Sequence, residues 1–161
     1  MFSAAIFAGM IYSNDIHRLF DDLWPAMHAS SLHKQHCISN LSRIESCFRK
    51  WGNNYNFLLD GLSSLDGIGL TIASGLVWST DPLEAVPFDK FTMTYALTER
   101  ILRNEHISGG HYADACQKIV AYCDDFTITE ADGIERGYEV EDFVREAREK
   151  MIDFPGLLGP K

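Results

Sequence analysis

The chain has 161 residues, 46% of them hydrophobic, which suffices for one compact domain with a buried core and not for a second full one. No run approaches the roughly 20 apolar residues that a membrane-spanning helix needs. The formal charge of −9 argues against tight, sequence-indifferent binding to nucleic acid, because such binding depends on many cations neutralising phosphates.

Residues 1–12 are apolar, lack a basic leader and a clear cleavage site, and read as a buried N-terminal segment. Asn14 is placed to cap a helix over residues 15–28, where Ile16, Leu19, Phe20, Leu23, Trp24 and Met27 recur at helical spacing and Pro25 kinks or shortens the run. Ser39 precedes a second helix marked by Leu41, Ile44, Phe48 and Trp51 and closed by Gly52, Asn53 and Asn54. Residues 58–80 form the next element, a helix ending near Leu62 to Leu65, a turn with Gly67 and Gly69, and a second helix carrying the small residues Ala73 and Gly75.

Beyond it, Phe91, Tyr95, Thr98 and Leu102 predict a helix over residues 90–104. Tyr112, Cys116, Ile119 and Cys123 predict another, entered through Ser108, Gly109 and Gly110. Val140, Phe143, Val144, Ala147 and Met151 give a charged amphipathic helix. The one strand candidate, residues 126–129, is too short and solitary to build a sheet, and residues 154–161 read as an irregular tail. The expected architecture is therefore all-α, a single helical domain over residues 1–161, without repeats.

Charge is unevenly spread. Acidic residues crowd residues 124–153, whereas Lys34, Arg43, Arg49 and Lys50 precede the glycine turn and Lys90, Arg100 and Arg103 follow it. The acidic run by itself reads as a solvated face. The four cysteines, Cys37, Cys47, Cys116 and Cys123, sit on helical patterns without an export signal, which predicts reduced thiols in a cytoplasmic protein. His33, His36 and Cys37, and His111 with Cys116, lack the paired spacing of a zinc site, so no metal and no cofactor is expected.

The turn at Gly67-Ile68-Gly69, followed at once by a helix, directs backbone N–H groups outward at a helix start, where the local dipole favours an anion. Such a site grips one phosphate without many lysines, and Gly67, Ile68, Gly69 and Thr71 are its candidate residues. A Gly-x-Gly turn also serves as a plain helix connection. No Gly-Lys-Ser/Thr follows, which excludes a Walker loop, and no strand precedes, which excludes a dinucleotide fingerprint.

The run Leu65-Asp66-Gly67-Ile68-Gly69-Leu70-Thr71-Ile72-Ala73, followed by Val86-Pro87-Phe88-Asp89-Lys90, resembles the hairpin and catalytic-aspartate segments of the helix-hairpin-helix DNA glycosylase superfamily. In that family a Leu-Pro-Gly-Val-Gly-x-x-Thr-Ala type hairpin precedes a Val-Asp-Thr-His type segment. The family's lysine position falls here on Thr71, and the aspartate eighteen residues beyond it falls on Asp89. The resemblance covers about residues 58–102, with residues 86–102 as the catalytic segment.

What the resemblance implies is a helix-hairpin-helix domain that binds DNA bearing a damaged or modified base and hydrolyses its N-glycosidic bond. Positive charge builds on the sugar in that reaction, and Asp89 would stabilise it and orient the attacking water. Thr71 has no amine, so no Schiff base forms and the activity implied is monofunctional. The base must leave the stack for a pocket, for which Tyr12, Trp24, Trp51 and Trp78 are the candidate aromatic walls, though each equally fits a core position. His17, His106 and His111 are candidate proton donors, none singled out by spacing.

Three departures stand out. Asp66 replaces the usual proline, Lys90 and Phe91 replace Thr-His, and the iron–sulfur cysteine array of some members is absent. Asp89 also fits an ordinary helix N-cap. Two other readings therefore remain: a non-catalytic helix-hairpin-helix DNA-binding protein, and an acidic helical interaction protein. The chain is short for the superfamily, which suggests a homodimer or an additional subunit.

Overall fold

The computed structural model describes residues 31–154. The expected segment at residues 1–12, the helix over residues 15–28 and nearly all of the tail at residues 154–161 lie outside them. Seven α-helices and one small antiparallel sheet make up the described chain, so the protein is mainly helical. No helix among the described residues is long and apolar enough to cross a membrane. The chain divides into two compact units, residues 1–81 and residues 82–161.

The first unit contains α1 (Ser31–Ser39), α2 (Leu41–Trp51), α3 (Tyr55–Ser63) and α4 (Leu70–Thr80). Helix α2 lies behind Ser39 with Asn40 as its N-cap, whose side chain makes no cap bond. Its amide instead donates to His36 O at 2.8 Å and to Asp66 O at 3.1 Å, tying α1 to the turn after α3. Asn54 caps α3, its side chain accepting from the Phe57 N–H. The core of the unit is Ile44, Phe48, Leu58, Leu59, Leu62, Ile72 and Leu76, all buried, each stabilising the fold by about 1.5–3 kcal/mol relative to exposure.

The second unit contains α5 (Lys90–Thr98), α6 (Tyr112–Asp124), β1 (Thr127–Thr129), β2 (Glu135–Gly137) and α7 (Val140–Met151). Two expectations need correction here. The helix predicted over residues 90–104 stops at Thr98, because Arg100 takes a left-handed φ of 58° and the Ile101 and Leu102 N–H groups turn back to Ala96 O at 2.9 and 3.1 Å. Leu102 is nonetheless 3% exposed, so the apolar spacing runs on past the end of the helix. The strand candidate is not solitary: β1 pairs with β2, Ile128 opposite Arg136, across a turn in which Gly133 has φ +82° and the Ile134 N–H bonds Asp132 Oδ1.

The later helices follow the predicted spacing. Cys116, Ile119 and Cys123 are buried along α6, and Val140, Phe143, Val144, Ala147 and Met151 along α7. The sheet is fastened to α7 by Arg136, whose guanidinium donates to both oxygens of Asp142 at 2.7 and 2.8 Å. Arg145 adds a third bond to Asp142 at 2.5 Å, and the Asp142 carboxylate also accepts the Glu139 N–H that opens the helix, at 2.9 Å. These contacts, led by the Arg136 hydrogen bonds, hold the Asp142 carboxyl well below its ordinary value, at about 2.

Candidate functional site

In the first unit the glycine turn joins α3 to α4. Helix α3 ends at Ser63, the Ile68 N–H bonds Leu65 O at 3.0 Å, and α4 begins at Leu70. Gly67 has φ +75°, a conformation that an L side chain strains to adopt. A methyl group there would lie 2.3 Å from Cγ of His36, so the residue is glycine on two grounds: the backbone requires it, and the imidazole of α1 occupies the space. Gly69 is different. It is the N-cap of α4 with extended backbone, contributes no side-chain acceptor to the helix start, and has nothing within 4 Å of where a Cβ would sit.

Of the four candidate phosphate contacts, Gly67, Gly69 and Thr71 are exposed. Ile68 is 2% exposed and its N–H is committed to Leu65, so it anchors the turn in the core and offers nothing outward. The exposed backbone around Gly69 at the start of α4 is the part of the hairpin with room for an anion.

Asp89 belongs to the second unit, at the N-cap of α5. The segment before it is buried and fixed: Val86 and Phe88 are in the core, the Tyr112 hydroxyl donates to Val86 O at 2.7 Å, and the Phe88 and Tyr112 rings meet edge to face at 4.8 Å. A reciprocal capping box then sets the carboxylate. Oδ1 accepts the Thr92 N–H at 2.8 Å, while the Asp89 N–H donates to Thr92 Oγ1 at 3.2 Å and that hydroxyl donates to Pro87 O at 2.6 Å. Oδ2 faces Arg148 of α7, whose Nη2 donates to it at 3.3 Å.

Arg148 was not legible as a site residue, because it lies 59 positions away on a helix rich in charge. Its guanidinium carbon is 5.9 Å from the Phe91 ring centre, and Lys90 Nζ is 5.1 Å from the same ring. The Arg148 Nε–H is buried with no hydrogen-bond partner among the described residues.

The aromatic candidates separate. Trp51 lies half-buried against Gly61 of α3; a methyl group at that glycine would come within 2.5 Å of its ring, so Trp51 is seated in a glycine socket, with Lys50 Nζ 4.6 Å above it. Trp78 is half-buried and its indole N–H is inside the protein without an acceptor among the described residues. Tyr12 and Trp24 lie outside the described residues, as does His17.

Among the histidines, His106 is 5% exposed and both ring nitrogens are used. Nδ1 accepts the Arg103 N–H at 2.9 Å, which leaves Nε2 to donate to Asp114 at 2.9 Å. That arrangement fixes a loop and leaves no nitrogen to serve a substrate. His111 is exposed, its ring 6.3 Å from that of His106. Among the described residues no group of three metal-ligating side chains converges, and the four cysteines are buried and form no disulfide.

No protein-family model, curated protein or solved structure matches the chain.

Proposed function

We propose that this chain is a DNA-binding protein of the helix-hairpin-helix glycosylase type, which removes a damaged or modified base without cutting the strand. The observation that carries the reading is the hairpin itself: two helices joined by a turn with Gly67 at φ +75° and an open, side-chain-free cap at Gly69. That construction suits close approach of a single backbone phosphate. It also reconciles DNA binding with a net charge of −9, since the grip comes from oriented backbone dipoles and few cations.

In this reading Asp89 supplies the chemistry. Its carboxylate is held by the capping box through Oδ1, so it stays oriented while Oδ2 stabilises charge developing on the sugar and directs water to the anomeric carbon. Thr71 offers no amine, which confines the reaction to hydrolysis.

The test is to incubate the protein with DNAs carrying diverse damaged and naturally modified bases and identify any released base by mass spectrometry. Asp89→Asn keeps an N-cap residue, so the fold persists, and it lowers release by at least about 100-fold. Release at the wild-type rate from this variant overturns the catalytic assignment.

A second reading, a non-catalytic DNA-binding module, draws on the ion pair between Asp89 and Arg148, which places a cation on the carboxylate oxygen that would serve the sugar. It predicts salt-sensitive DNA binding with no base released from any substrate.

A further inference from the structure

Resting on the reading of Asp89 as the reacting carboxylate, we infer that Arg148 is a phosphate-contacting and positioning residue shared between Asp89 and the nucleic acid, and that bound DNA draws it off Oδ2. The two oxygens of Asp89 are unequal. Oδ1 is consumed by the capping box, so any chemistry at this residue takes place at Oδ2, and among the described residues the partner of Oδ2 is the Arg148 guanidinium.

That contact is weak for its type. It is a single bond at 3.3 Å, longer than a good charge-assisted hydrogen bond and not the paired fork that an arginine and a carboxylate form when matched. The guanidinium has five N–H donors, of which this bond uses one. Nε–H is buried without a partner among the described residues, so the side chain sits in an arrangement that leaves hydrogen-bonding capacity unmet.

The surroundings favour an oxyanion as the missing acceptor. Lys90 and Arg148 flank one face-forming ring, Phe91, beside a single carboxylate. Locally this makes an excess of positive charge in a chain whose overall charge is −9. A phosphate, with three accessible oxygens, satisfies several guanidinium donors at once and competes with a monodentate contact. Moving Arg148 from Oδ2 to a phosphate leaves Asp89 as an uncompensated anion only when DNA is present. Hydrolytic water would then meet a competent carboxylate only in the complex.

The experiment compares wild type, Arg148→Met, Arg148→Lys and Asp89→Asn for duplex binding across a salt series and for base release. Arg148→Met is expected to flatten the dependence of log affinity on log salt by about one unit of slope, as expected on losing one phosphate contact, and to raise KM while kcat is kept or increased. Arg148→Lys restores the slope. Asp89→Asn leaves the slope in place and loses kcat. Should Arg148→Met fail to fold, as judged by circular dichroism, Arg148→Gln takes its place: a slope one unit flatter with kcat retained supports the inference, and an unchanged slope overturns it.

An unchanged slope in Arg148→Met, or a loss of kcat as deep as that of Asp89→Asn, overturns the role given to Arg148 and leaves the DNA-binding reading standing. Salt-dependent binding that loses one unit of slope in Arg148→Met, with no base released by wild type, removes the glycosylase reading and keeps Arg148 as a phosphate contact. Absence of DNA binding at low salt overturns both.

Discussion

Helix α4 of the first unit and helices α5 and α7 of the second open by opposite means. In the first, α4 starts at Gly69, which has no side chain to offer, after a turn whose shape depends on Gly67 and on the imidazole of His36 resting against it. In the second, α5 and α7 start on carboxylates: Asp89 closes a box with Thr92, and Asp142 accepts the Glu139 N–H while held by Arg136 and Arg145. A helix start built of glycine depends on space and backbone shape. One built of carboxylates depends on charge, and therefore on pH and on competing ions.

The sharpest way to break this contrast is at Gly67. Gly67→Ala combines a left-handed backbone with a contact of 2.3 Å to His36, and is expected to destabilise the first unit by about 3 kcal/mol in chemical denaturation. His36→Ala in the same chain removes the clash but not the strain, so it recovers part of the loss. Full recovery would mean that the imidazole alone dictates glycine there.

Asp142 tests the charged design. Its side chain is 3% exposed and its carboxyl is lowered from 3.8 to about 2 in the folded protein. A depressed carboxyl stabilises the fold above its unfolded value and loses that contribution as the pH falls through the folded value. The contribution is about 2 kcal/mol, present above about pH 4 and lost on the way down to pH 2. Asp142→Asn is therefore expected to cost the second unit about 2 kcal/mol at neutral pH, with a shallower acid transition measured by the same method. An acid profile identical to wild type would remove the argument.

Gly69 should show the smallest change in stability. A Cβ there meets nothing and the φ of −88° is ordinary, so Gly69→Ala shifts stability by no more than about 0.5 kcal/mol. If a phosphate lies against this cap, the same variant weakens duplex binding several-fold, and wild-type affinity would argue against close approach at that point.

Helices with clean apolar spacing were legible from the residues, as α2, α6 and α7 illustrate, because their buried faces repeat at the helical period. Where the period outlasted the helix, it misled: Leu102 is buried by a chain that has already turned at Arg100. Strand β2 gave no signal, since Glu135-Arg136-Gly137 has no apolar alternation and is held by Arg136 reaching Asp142. At the candidate site the glycine turn and the capping role of Asp89 were readable as local patterns, whereas Arg148 on Asp89, His36 on Gly67 and Trp51 on Gly61 are contacts made by tertiary packing, which no local spacing encodes.

The cysteines divide evenly, Cys37 and Cys47 in the first unit, Cys116 and Cys123 in the second, all four buried and unbridged. Burial pushes the Cys37 and Cys123 thiols up to about 12, so at neutral pH neither presents the thiolate on which alkylating reagents act. Each unit thus carries its own chemical clock. A maleimide added to the native protein labels Cys37 only when α1 opens and Cys123 only when the end of α6 does, and peptide masses report which half of the molecule breathed first.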